Sequence, residues 1–113
     1  MPYLRIETNA DIQDEDSLIL ASSKLVAETM SKPEKVVMVR LDSCGEMCFQ
    51  GTTEPCAFLS LAGLDFPEAE SNRIASDLTD FFEKQLGLSP ERIFINFHDQ
   101  PRHLWGWKGQ TFG

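Results

Sequence analysis

Apolar and polar positions alternate from the first residues of the chain. In PYLRIET, residues 2–8, Leu4 and Ile6 fall on one side and Arg5 and Glu7 on the other, which predicts a strand. The acidic run DIQDED, residues 11–16, suits a helix N-terminus, where the macrodipole favours negative charge. A helix is predicted to follow to about Met30, with Leu18, Ala21, Leu25 and Val26 near helical spacing. Lys32-Pro33-Glu34-Lys35 reads as a turn, and Val36 to Leu41 (VVMVRL) as a buried strand, β-branched and apolar. The same order then returns. Ala57 to Leu61 (AFLSL) predicts a strand, Asp65 a helix cap, and Pro67 a first-turn residue whose missing N–H costs nothing. The second helix is expected to reach about Leu86. Ile74, Leu78, Phe81, Phe82 and Gln85 fit its period, the four apolar members form its buried face, and Gly87 ends it. Ser89-Pro90-Glu91-Arg92 echoes the first turn, and Ile93 to Phe97 (IFINF) echoes the second strand.

The chain therefore reads as β-α-β twice, with Pro90 lying 57 positions after Pro33. A βαβ unit sets its strands parallel through a right-handed crossover. The expected fold is α+β: two βαβ repeats forming one four-stranded sheet, both helices on one face, in a single domain over residues 1–113. The other face has no cover within such a chain, and a sheet with apolar residues on both sides calls for a partner, so a homo-oligomer is expected. Asp42 to Pro55 reads as a loop, with a short strand at Glu46 to Gln50 as one option. The tail from Asp99 to Gly113 is too short for another unit. It carries both tryptophans, Trp105 and Trp107, and is expected to pack on a neighbour or to line a pocket.

Composition narrows the function. At 113 residues, 42% hydrophobic and 25% charged, the chain is an ordinary globular protein of one-domain length. A net charge of −8 lacks the basic footprint of a nucleic-acid binder and disfavours anionic membranes. The start, MPYLRIETNAD, has neither the basic residues nor the apolar stretch of a signal peptide, so a cytoplasmic protein is expected. Cys44, Cys48 and Cys56 are odd in number, and Cys44 and Cys48 are spaced C-x3-C rather than C-x-x-C. His98 and His103 stand apart from them in sequence, so buried or partly exposed thiols are a better reading than a zinc site.

Pro2 is the candidate base. Removal of Met1 would leave a secondary amine there. An α-amino group has a reference pKa of about 7.7–8.0, which burial and a nearby lysine both lower. A free amine near neutral pH is a good general base beside a carbonyl, and the proline ring fixes its direction. On position alone, however, a Met-Pro start has no functional meaning. Likewise Lys32 alone is a solvated helix-end lysine, Leu64 a core residue, Asn96 a strand-end cap and Trp107 packing.

Several segments occur together: Pro2 opening the first strand, Lys32-Pro33-Glu34, Glu54-Pro55-Cys56-Ala57, the run from Ser89 to Phe97 with Asp99, and Gly106-Trp107 with Gly109 and Thr111-Phe112. In order and spacing they resemble the macrophage migration inhibitory factor family of the tautomerase superfamily, over essentially the whole chain. The resemblance implies a homotrimer around a central channel with active sites at subunit interfaces. It implies keto–enol tautomerisation of small aromatic α-keto acids, phenylpyruvate-like or dopachrome-like, without metal or cofactor. Pro2 would be the general base, Lys32 would bind the substrate carboxylate or enolate oxygen, and the Leu64 backbone N–H would lie near substrate. Asn96 would come from a neighbouring subunit, and Trp107 would wall the pocket. Arg40 is a further cation without an assigned place. Members of the family also act as extracellular cytokines, so a signalling protein with a vestigial pocket, a receptor partner and secretion without a signal peptide form the alternative reading.

The departures are specific. Phe94 stands where several members have tyrosine and removes one ligand hydrogen bond. Cys56-Ala57-Phe58-Leu59 lacks the second cysteine of a C-x-x-C, leaving no basis for thiol–disulfide exchange there. Trp105 is bulkier than the aliphatic residue of the best-known member, and Gln100-Pro101-Arg102-His103 also differs.

Overall fold

A computed structural model of the chain describes residues 1–43 and 45–113; Cys44 lies outside them. Four strands, β1 (Tyr3–Thr8), β2 (Met38–Asp42), β3 (Ala57–Leu64) and β4 (Ile93–Gln100), form one sheet in the order β2-β1-β3-β4. β1 runs parallel to β2 and β3 parallel to β4, while β1 and β3 meet antiparallel at the centre. Helix α1 (Glu15–Met30) bridges the first parallel pair and α2 (Ser71–Leu86) the second. Each helix is followed by a single 3₁₀ turn, Glu34–Val36 and Pro90–Arg92, that feeds the next strand. The two βαβ units expected from the repeat are therefore present.

One core lies between the sheet and the helices. Leu4 and Ile6 of β1, Leu59 and Leu61 of β3, Val26 of α1, and Ile74, Leu78 and Phe82 of α2 share a single buried cluster. Each such side chain contributes about 1.5–3 kcal/mol by leaving water. α1 begins where Asp14 accepts the Ser17 N–H at 3.0 Å, with Glu15 and Asp16 in its first turn. α1 ends on Ser31 and α2 on Gly87, both left-handed, with φ of 53° and 66°.

Among the described residues no helix covers the opposite face. Its residues form cross-strand rows: Phe94, Phe58, Glu7 and Asp42; then Asn96, Ser60, Arg5 and Arg40; then His98, Ala62, Tyr3 and Met38. Phe94 is 52% and Met38 66% exposed. The radius of gyration, 14.4 Å, exceeds the roughly 13 Å of a compact chain this long, as a sheet backed on one side only should.

Four local expectations need correction. Asp65 does not cap α2, which starts at Ser71 after a 3₁₀ turn, Glu68–Glu70, that follows Pro67. Instead Asp65 takes positive φ, 55°, and its carboxylate accepts hydrogen bonds from Arg102, a stronger donor than a helix N–H. The segment Glu46 to Gln50 holds no strand, only a bridge between Phe49 and Thr52. Val36 belongs to the 3₁₀ turn, so β2 opens at Met38. β3 and β4 run on to Leu64 and Gln100, because their parallel register continues to that pair.

Candidate active site

The start of β1 sits under a cavity of about 390 Å³. Met1, Pro2 and Tyr3 form one side of it, and residues Lys35 to Met38 form a second. Trp105, Gly106 and Trp107 form a third. Pro2 is fully buried, and the Met38 N–H donates to its carbonyl at 3.0 Å, so the parallel ladder of β1 and β2 begins on Pro2 itself.

The tryptophans arrive on a small hairpin. A 3₁₀ turn, Arg102–Leu104, leads to β5 (Gly106–Trp107), which pairs with β6 (Gln110–Thr111). Lys108 and Gly109 between them both have positive φ, 54° and 82°, as a tight hairpin turn requires. Phe112 stacks on Trp107 with ring centroids 6.4 Å apart, and the Lys108 ammonium lies 4.4 Å above the same indole. Trp107 is thus braced by its own hairpin and tail.

Charge gathers around the chain start. The left-handed Ser31 turns the chain at the end of α1, and the Lys32 N–H donates back to the Ala27 carbonyl at 2.9 Å, which fixes where Lys32 leaves the helix. The N-terminal amine, here that of Met1, is held below its usual range by burial first and by Lys32 second. Arg102 adds to the shift and Asp65 opposes it. The Asp65 carboxyl is itself lowered, chiefly by the Arg102 hydrogen bond, with help from Lys32 and the amine. An amine, two cations and one carboxylate therefore act on each other at one place.

The predicted site residues divide into two groups. Pro2 and Trp107 line the cavity, Lys32 acts on the amine, and buried Leu64 lies two residues past the Tyr3–Ala62 pair, level with the chain start. Asn96 and Phe94 are elsewhere. They belong to β4, separated from β1 by β3 and so about 10 Å away across the sheet. Phe94 is also level with Glu7, roughly 17 Å along the strand from Pro2. It packs edge-on against Phe49 and Phe58, with centroids 4.7 and 6.1 Å away. Arg40 lies on the bare face, bound to Asp42 at 3.3 Å, and takes no part in the cavity. Lys35, Asp65 and Arg102 are the residues that the sequence did not single out. Nothing local marks Asp65 and Arg102, whose contact spans 37 residues. Among the described residues no group of three or more His, Cys, Asp and Glu side chains could hold a metal, and no helix is long and apolar enough to cross a membrane.

The family model described as macrophage migration inhibitory factor matches residues 1–113. The chain belongs to the macrophage migration inhibitory factor family. A family homologue from Trichinella spiralis is 35% identical over 99% of this chain and all of its own length. The macrophage migration inhibitory factor of Xenopus tropicalis is 33% identical over 86% of this chain and 85% of its own. Among solved structures, the homologue from Prochlorococcus marinus superposes with a TM-score of 0.89 at 34% identity, covering 98% of this chain and 99% of that one. The four-stranded mixed sheet with two helices is accordingly the fold of this family.

Proposed function

We propose that the chain is a keto–enol tautomerase acting on small aromatic α-keto acids such as phenylpyruvate or dopachrome, with Pro2 as its base. The observation that carries this reading is a buried proline beneath a cavity where burial and Lys32 hold the terminal amine below its usual pKa. While Met1 is attached, the Pro2 nitrogen is a tertiary amide and has no basicity. Once Met1 is removed, the nitrogen becomes a secondary amine at the same end of β1. It takes a proton from the carbon beside the keto group. The electron pair moves to the carbonyl oxygen, which then gains a proton to give the enol.

Lys32 holds the substrate carboxylate or the developing enolate oxygen, and the Leu64 backbone N–H supports it. Trp107 walls the ring. Asn96 and Phe94 reach such a substrate only from a second copy of the chain. The bare sheet face, with Phe94 and Met38 exposed, supports assembly into a homotrimer with sites at its interfaces. Light scattering should then give about three times 12.8 kDa.

The deciding experiment is phenylpyruvate tautomerisation by protein whose intact mass shows Met1 removed, compared with Pro2→Gly. A positioned general base contributes about 10²–10⁴-fold, so a loss of at least tenfold is expected. An inactive Met1-free protein would overturn the enzyme reading and favour a docking or signalling role for the cavity.

A further inference from the structure

Asp65 and Arg102 meet next to the chain start, just outside the residues that line the cavity. Asp65 follows Leu64 at the end of β3, and Arg102 opens the turn that leads to Trp105. The Arg102 Nε donates to Asp65 Oδ1 at 3.3 Å, and its Nη2 donates to Oδ2, so one carboxylate occupies one edge of the guanidinium fork. The two side chains are 58% and 56% exposed, and an ion pair that open contributes little to stability. Its position is what matters. The pair joins the strand end beside Pro2 to the tryptophan wall, and Lys32 acts on the same carboxylate.

We infer that Asp65 is a specificity-determining residue: by holding the Arg102 fork it keeps Lys32 as the open cation and sets the site for keto acids with one carboxylate over those with two. The inference rests on the tautomerase reading. A second substrate carboxylate would face the negative charge of Asp65 and a guanidinium whose Nε edge is taken and whose charge is neutralised. Without Asp65 the pair's place gains one unit of positive charge and that edge becomes open to a carboxylate. Lys35 lines the cavity in either case and cancels from the comparison.

The test compares kcat/KM for phenylpyruvate and for oxaloacetate in Met1-free protein and in Asp65→Asn and Asp65→Gly. Position 65 has positive φ, which asparagine and glycine both adopt readily, so both variants keep the backbone. The oxaloacetate-to-phenylpyruvate ratio should rise at least tenfold in both, and adding Arg102→Ala should abolish the rise. The charged groups that act on the Met1 amine are Lys32, Arg102 and Asp65, and Lys35 lines the same cavity; the Pro2 amine forms at that end of β1, so losing the one anion should also move the rising limb of the pH–rate profile to lower pH. If Asp65 only braced the fold, both substrates would suffer equally; an unchanged ratio with active wild-type protein overturns this inference alone. Wild-type protein inactive on phenylpyruvate overturns the tautomerase reading and this inference with it.

Discussion

Two helices of equal length, α1 and α2, hold the two halves of the sheet by different means. α2 buries Ile74, Leu78 and Phe82, three large apolar side chains on one stripe. α1 buries Leu18 and Val26, but the same stripe carries Ser22 and Thr29. The Ser22 hydroxyl donates to the Leu18 carbonyl at 2.7 Å. Thr29 donates to Asp77 at 2.7 Å, and Arg73 binds both the Thr29 carbonyl, at 3.0 Å, and Asp77, at 3.2 Å. Apolar burial is strong but non-directional, whereas hydrogen bonds set orientation. The directional contacts fall three residues before Lys32, where orientation has a use. α2 thus supplies most of the apolar anchoring and, through Arg73 and Asp77, the polar partners that fix the end of α1 before Lys32.

The largest test of that contrast is Phe82→Ala. It should cost about 3–5 kcal/mol, read as a lower midpoint in urea with an unchanged slope. A loss under ~1 kcal/mol would mean that α2 is not the anchor. Next comes Lys32→Ala. Removing a charged hydrogen-bond donor should lower kcat/KM for phenylpyruvate about tenfold or more, mostly through KM. The pH profile gives its own sign. The Met1 amine is lowered by burial and Lys32, and the Pro2 amine that forms at the same end of β1 is expected to be lowered likewise, so its basic form, and activity, should appear below the usual α-amine range of about 7.7–8.0. Losing Lys32 favours the ammonium again, and the rising limb should shift to higher pH.

A smaller effect separates the helix ends. Gly87→Ala places a side chain at φ 66° with open space around it, so its cost is backbone strain alone, about 1 kcal/mol. Ser31→Gly, at φ 53°, should go the other way by a few tenths. Smallest of all is Ser22→Ala. Its hydroxyl only doubles a carbonyl already bound within the helix, so thermal melts should show less than ~0.5 kcal/mol of change. A larger loss would make the buried hydroxyl itself a fixing point of α1.

The sequence carried the repeat plainly, because alternation in Leu4 and Ile6 and helical spacing in Ile74, Leu78 and Phe82 are short-range signals. The two proline-led turns were equally legible, since proline restricts its own residue and the one before it. Asp65 was misread for a physical reason. An aspartate before a helix is a good cap, and only the distant Arg102, a better partner, changes its role. Lys35 escaped notice because it is an exposed turn lysine, and only the distant tryptophan hairpin makes its side of the turn a cavity wall. Asn96 was matched by family pattern as a neighbouring subunit's contribution, and strand order indeed keeps it and Phe94 apart from the Pro2 of their own chain, a separation that sequence spacing alone does not record.

The seam between β1 and β3 has a consequence for how the molecule is put together. Strands run parallel within each half and antiparallel across the seam, from Tyr3 opposite Ala62 to Thr8 opposite Ala57. A half-turn about an axis through that seam exchanges β1 with β3, β2 with β4 and α1 with α2. The chain is thus a tethered pair of near-equivalent units, and residues 43–56 are the tether. A short tether holds its ends at roughly millimolar effective concentration. Severed there, the two halves would have to find each other as separate molecules, at a cost of about 4–15 kcal/mol in lost freedom of motion. One surface loop therefore turns what would be a concentration-dependent association into a folding reaction of a single chain.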